Sequence, residues 1–246
     1  MKQVTKSLVI VGAMLAAGSS TADMLNMDEF KGFAGVDYLQ AWMPGRGSIT
    51  TFSDATRTDT INAKSVFRSS YPGATVYVGG KFGDCVGLEL GWDSSLSSKK
   101  KTATSPSSSP FTYTYTSKVR REGFHADLIG YAPMSDCMNL FASVGIGSVK
   151  AKISNQVLTA SASTAATAAV NQAALNASTP LPLSSKRKSV LRLGAGASYM
   201  LTEMVGLRAK LGWEGTDNLR LKYNNGSTAK AFKSSTTLAA GLFVTW

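Results

Sequence analysis

The sequence is poor in the residues from which most active sites and metal centres are built. Its 246 residues include one histidine and two cysteines, too few for a tight Cys/His metal cluster. Charged residues make up only 17% and apolar ones 43%, a balance too apolar for a disordered chain. Glutamate is scarce while glycine, serine and threonine abound, which excludes a coiled coil. No run of 18 uninterrupted apolar residues occurs, so a membrane-spanning helix has no candidate. No glycine-rich loop follows a strand and opens a helix, so nothing cradles a phosphate-bearing cofactor, and no cofactor is expected. Acids are also in short supply. Lysine and arginine outnumber them 26 to 15, for a net charge of +11. Such a balance suits nucleic acid, an acidic membrane surface or a polyanionic partner.

The N-terminus narrows that choice. Lys2 and Lys6 precede a ten-residue apolar core at residues 8–17, and Ser20 stands at the −3 position of a cut after Ala22. Residues 1–22 are therefore expected to be a cleaved secretory signal peptide, too short for a stable span. The mature domain is residues 23–246. An exported chain is not expected to meet nucleic acid, so its basic excess points to an envelope or extracellular partner.

From residue 30 onward the apolar period is two. Val86, Leu88, Leu90 and Trp92 share one face, with Gly87, Glu89 and Gly91 on the other. Val205, Leu207, Ala209, Leu211 and Trp213 alternate in the same way with Gly206, Arg208, Lys210 and Gly212. Eight such segments are expected, near 31–43, 72–82, 86–94, 118–132, 139–151, 189–201, 205–214 and 231–246. Their connections alternate in length. Those near 83–85, 133–138 and 202–204 are tight; those near 44–70, 94–112, 152–188 and 215–230 are long and polar, the third carrying an Ala/Ser/Thr tract at residues 163–177. Short turns on one side and long loops on the other predict an all-β fold: an eight-stranded antiparallel up-and-down transmembrane β-barrel.

Tryptophan placement agrees with a lipid-facing exterior. Trp42, Trp92 and Trp213 end the outward faces of strands that run the same way, and Trp246 lies on the opposite rim. The eight steps from Val205 to Trp213 span roughly 20 Å for a strand tilted by about 40°. That is close to the apolar band of about 25 Å between aromatic girdles.

The signal peptide, the eight alternating segments and the C-terminal run Ala240-Gly241-Leu242-Phe243-Val244-Thr245-Trp246 resemble the small outer-membrane proteins of the OmpA-type, OmpX-like and Opa (opacity) group. Gly241, Val244 and the terminal aromatic Trp246 look like the insertion signal of such barrels. Ala240 departs from it, since a polar residue is usual there. The resemblance implies a Gram-negative outer membrane, insertion by the barrel-assembly machinery, a monomer, and contact with outer-membrane lipid and lipopolysaccharide. Members of the group act as structural envelope proteins, adhesins or resistance factors; their shared fold does not choose among those roles.

Parity sends Asp37, Lys81, Glu89, Asp127, Arg192, Arg208 and Lys210 into the lumen. An eight-stranded interior is only wide enough for side chains to fill. Buried charges must pair there, so a salt-bridged plug is expected, with a small-solute channel as the alternative. His125 is the one residue that histidine chemistry could use, as in a lipid-modifying barrel enzyme. It stands two residues from Asp127, and Ser143 and Ser198 can also face inward. No spacing shows a triad, so no catalytic residue and no metal ligand is assigned. Cys85 and Cys137 are both at tight turns on one side, and export to an oxidising compartment makes them a candidate disulfide. Basic residues concentrate in the long loops. Lys99, Lys100 and Lys101 fall in the second and Lys186, Arg187 and Lys188 end the third. Arg46, Arg57, Lys64 and Arg68 lie in the first, and Lys222, Lys230 and Lys233 flank the fourth. The expected function is non-enzymatic: a structural or adhesive surface protein whose loops meet lipopolysaccharide or host-surface polyanions.

Overall fold

The structure, a computed structural model, describes residues 30–53, 58–104, 111–162, 182–185, 187–216, 219–223, 228–230 and 232–246. Eight strands carry the wall: β1 (Phe30–Trp42), β4 (Ser70–Phe82), β5 (Val86–Ser95), β7 (Phe111–Ser135), β8 (Met138–Ala162), β10 (Lys188–Met200), β11 (Val205–Glu214) and β14 (Ser235–Thr245). Each pairs antiparallel with the next, and β14 returns to β1, so the ring closes without an edge. Closure satisfies every ladder donor and acceptor inside the wall, which is what permits strands to cross hydrocarbon.

Two strands run far beyond their expected limits. β7 and β8 have 25 residues each, against the expected 118–132 and 139–151, and pair out to Phe111 and Ala162. The alternation continues through Thr112-Tyr113-Thr114-Tyr115, with Tyr113 and Tyr115 buried. Its outward members are polar because they stand above the lipid. β6 (Ser98–Thr104) lines the outer part of β7, β9 (Pro182–Ser185) pairs with β12 (Arg220–Tyr223), and β12 pairs with β13 (Thr228–Lys230). A hairpin of β2 (Ser48–Ser53) and β3 (Thr58–Asn62) leads to a one-turn helix, α1 (Ala63–Val66), capped by the Asn62 side chain. The Ala/Ser/Thr tract at residues 163–177 lies outside the described residues.

At the other end the connections are tight. Gly83 takes φ +56° in the β4–β5 turn, a left-handed conformation that glycine adopts without strain. The start of β1 meets the C-terminus on this side, where the Gly32 N–H donates to the Trp246 carbonyl at 3.0 Å.

The interior forms three layers. Near the tight turns, Phe33, Tyr77, Ile129 and Phe141 pack with Tyr131 and Phe243. At mid-height the filling is charged. Toward the long loops, α1 and the loop residues fold inward, and Met43, Phe67, Tyr71, Leu219, Leu221 and Phe232 build an apolar cap with the upper strands. Outside, Val36, Val76, Leu90, Phe124, Leu128, Ile146, Leu211 and Leu242 are all exposed. A contiguous apolar exterior of this kind is costly in water and favourable in lipid.

Candidate functional site

Five carboxylates face four fixed cations and one imidazole at mid-height. Arg208 Nε and Nη2 donate to Asp37 Oδ2 at 2.9 and 2.8 Å, and its Nη1 donates to Glu89 Oε2. The guanidinium also sits 3.5 Å from the Tyr77 ring centroid. Lys210 Nζ donates to Asp127 Oδ2 at 2.7 Å and stands 3.6 Å from Glu89 Oε1. Nearer the long loops, Arg192 joins Asp93 (2.9 Å), Glu214 and Asp127 (3.4 Å), while Arg121 pairs with Glu214 and Asp93. His125 links the two halves, with Nε2 3.5 Å from Glu89 and Nδ1 3.6 Å from Asp93. Close packing at this level depends on glycine: a Cβ at Gly91 would run into the His125 ring. The network encloses a cavity of about 20 Å³, little more than one water molecule needs.

Six of the seven inward charges read from parity meet in this network. Lys81 does not. It lies lower, 3.4 Å from Asp84 at the turn and 5.3 Å from the Tyr131 ring centroid, because its strand position is near the open end. It lines a cavity of about 920 Å³ that opens among the tight turns. Asp93, Arg121 and Glu214 belong to the network but were not anticipated. Each lies inside an expected segment (86–94, 118–132 and 205–214) and continues the inward parity of its strand, one or more steps toward the long loops from Trp92, Phe124 and Trp213.

Glu89, His125 and Asp127 present ligand-type atoms within 4.8 Å of one another, a grouping that sequence spacing hides because it arises from the Glu89–Asp127 register pair. The same carboxylates are already held by Arg208, Lys210 and Arg192, so a cation would have to displace the chain's own charges. Ser143 and Ser198 are buried, and His125 is only 5% exposed.

The expected disulfide is not formed; Cys85 and Cys137 are free thiols. The Cys85 carbonyl accepts from Tyr131 on β7, whereas that of Cys137 accepts from Met200 on β10. Two strand spacings of about 4.8 Å each separate the turns, beyond the reach of about 7 Å that a disulfide allows.

The basic clusters are split by the strand period. Lys99 and Lys101 are exposed, but Lys100 turns inward and its ammonium donates to the carbonyls of Lys64 and Phe67, both at 3.2 Å, tying β6 to α1. Arg187 and Lys188 are exposed; Lys186 and Arg57 lie outside the described residues. Arg46, Lys64, Arg68, Lys222, Lys230 and Lys233 are exposed at the long-loop end. Trp42 and Trp213 stand at one height, each in register with Thr236 of β14, and the Trp92 ring lies 6.5 Å from that of Phe124. Trp246 is exposed at the opposite end beside Gly32, and Val244 faces outward. Gly241 leaves room against the β1 backbone, where a Cβ would clash.

No curated protein sequence matches the chain. Among solved structures it is similar to the outer membrane protein OprG of Pseudomonas aeruginosa, with 11% identity, TM-score 0.55, and coverage of 88% of this chain and 95% of that one. It is also similar to Ail, the attachment invasion locus protein of Yersinia pestis, in complex with the heparin analogue sucrose octasulfate (11% identity, TM-score 0.46, covering 89% and 99%). A third is Neisserial surface protein A (12% identity, TM-score 0.45, covering 87% and 96%). At these identities the likeness to OprG shows the fold alone. Residues 9–242 match the family model described as outer membrane protein beta-barrel domain. The chain therefore belongs to the outer-membrane β-barrel family, and its apolar exterior contacts outer-membrane lipid.

Proposed function

We propose that this chain is a non-enzymatic, non-conducting surface protein of the outer membrane whose loop end contacts polyanions by charge. The observation that supports it most is the division of charge. Inside, acids and bases engage one another around a cavity of about 20 Å³, beneath an apolar cap. Outside, the basic excess is exposed at the long-loop end, at Arg46, Arg68, Lys222 and Lys230 among others. His125 is enclosed by Glu89, Asp93 and Gly91, out of reach of a lipid ester, which argues against the lipid-modifying reading. Residues 1–22 serve as the export signal, Gly241, Val244 and Trp246 as the mark read by the barrel-assembly machinery, and Trp42, Trp92, Trp213 and Trp246 as the aromatic girdle of a monomer.

Two measurements test this reading. Reconstituted in a planar bilayer, the protein shows no stable porin-sized conductance; discrete large steps would overturn the closed lumen. In micelles it binds heparin with an affinity that falls as salt shortens the Debye length from roughly 10 Å at 0.1 M. Arg46→Gln/Arg68→Gln/Lys222→Gln/Lys230→Gln weakens that binding. Undiminished binding in this variant at high salt would remove the loops from the recognition surface.

A further inference from the structure

The outer wall just above the apolar band carries a charge pattern that neither the lumen nor the loop tips use. Even-numbered residues face outward on β7 and, as far as Ser154, on β8; in the band they include Phe124, Leu128, Leu140 and Ile146, all exposed. The same parity, followed toward the long loops, places Lys118 and Arg120 on β7 and Lys150 and Lys152 on β8. β6 extends the surface with Lys99 and Lys101, in register with Lys118 and Thr116. Arg187 marks its lower border, its guanidinium 5.2 Å from the centroid of the Phe124 ring. Among the described residues of this face the acid is Glu122, held by Arg120 at 3.3 Å and Lys152 at 2.8 Å. The hydrogen bond from Lys152 keeps its carboxyl below the ordinary glutamate value.

The register makes this surface self-repelling. Lys99 stands opposite Lys118, and Arg120 opposite Lys152 with Glu122 bridging that second pair, so that six outward cations share this one acid among the described residues. Like charges directly opposed on an antiparallel pair destabilise it, and uncharged polar residues would serve solubility equally well. The repulsion is relieved by a multivalent anion lying across β6, β7 and β8, whose cations are spaced about 5 Å between strands. Position selects the source. The patch starts at the ring pair Trp92–Phe124, the depth of aromatic belts and lipid headgroups. It faces sideways along the membrane rather than outward to the medium.

We infer that this wall binds the phosphates of outer-leaflet lipid: a bis-phosphorylated glycolipid of the lipid A type. Its phosphates lie on Lys118, Arg120, Lys150 and Lys152, and its acyl chains on the band of Leu90, Leu128 and Ile146. The inference rests on the polyanion-contact reading above but assigns it a different surface and a membrane ligand.

The full chain in detergent micelles is titrated with bis-phosphorylated lipid A, with its dephosphorylated counterpart, and separately with heparin. Lipid A binds, and loss of its phosphates weakens binding. Lys118→Gln/Arg120→Gln/Lys150→Gln/Lys152→Gln lowers lipid A affinity at least about tenfold, as basic residues near an anionic headgroup require, while heparin affinity changes less than about threefold because the loop-end cations remain. Heat-modifiable migration checks that the variant is folded. Should it not fold, the outward pair Lys150→Gln/Lys152→Gln is used and lowers lipid A affinity about threefold or more. Unchanged lipid A affinity overturns the inference and leaves the loop reading standing. Equal loss of both probes overturns the assignment to membrane lipid. If the parent protein binds neither probe, both readings fall.

Discussion

Replacing Arg208 by methionine tests whether the lumen is held shut by pairing or merely filled. Arg208 keeps two carboxylates, both 0% exposed, in the barrel centre: Asp37 through Nε and Nη2, and Glu89 through Nη1. Methionine preserves much of the volume and the contact with Tyr77 but removes the charge. Glu89 still has Lys210 at 3.6 Å and His125 at 3.5 Å, so the penalty falls mainly on Asp37. Removing one member of a buried ion pair costs about 3–5 kcal/mol, because the other charge is left uncompensated. Arg208→Met should therefore lose about that much against unfolding in urea, followed by heat-modifiable gel migration and tryptophan fluorescence. Adding Asp37→Asn removes the orphaned charge, so the double variant should recover about 2 kcal/mol, a coupling within the usual range for contacting residues. A single variant within about 0.5 kcal/mol of the parent, or a double variant less stable than the single, would refute the reasoning.

Thiol titration of the native, unreduced protein should count two thiols, exposed Cys137 reacting faster than half-buried Cys85; a count of zero would show that the barrel end rearranges to bond them. His125→Ala should leave the acyl pattern of outer-membrane lipid A unchanged by mass spectrometry, and a lost or gained acyl group that depends on His125 would restore the enzyme reading. Heparin affinity should be flat from pH 5 to 8. Glu122, held below its ordinary value by Lys152, stays ionised until the pH falls beneath the usual glutamate range near 4.3, lysine and arginine remain charged throughout, and the single histidine is buried. A change beyond about threefold across that window would mean that a group other than the exposed lysines and arginines carries the binding.

Period-two patterning made the barrel readable because lipid outside and packing inside oppose each other across every pleat. Val205 through Glu214 illustrates this: the expected 205–214 and the observed β11 coincide, since a one-residue slip would send Arg208 and Lys210 into hydrocarbon. Above the membrane that opposition vanishes, and so did the reading. The outward residues of β7 beyond Phe124 become polar like any loop, yet Tyr113, Tyr115 and Val119 still alternate inward. Counting only the inward members would have extended β7 toward its observed end.

The site was legible in kind but not in pairing. Parity identified which charges enter the lumen, but their partners depend on which strands face across the ring. Arg208 of β11 reaches Asp37 of β1, one strand beyond its neighbour β14, and Glu89 of β5 on the far wall; no spacing in sequence encodes such a meeting. The same distinction explains Lys100. Three consecutive lysines look like one positive cluster, but on a strand the middle one must turn to the other face, where its ammonium donates to the carbonyls of Lys64 in α1 and of Phe67 just after it. What remains outside is Lys99 and Lys101, aligned with the outward lysines and arginine of β7 and β8. Surface charge on a barrel is thus organised by register across strands, and the basic wall beside the lipid headgroups is a feature that a reading along the chain divides among three separate segments.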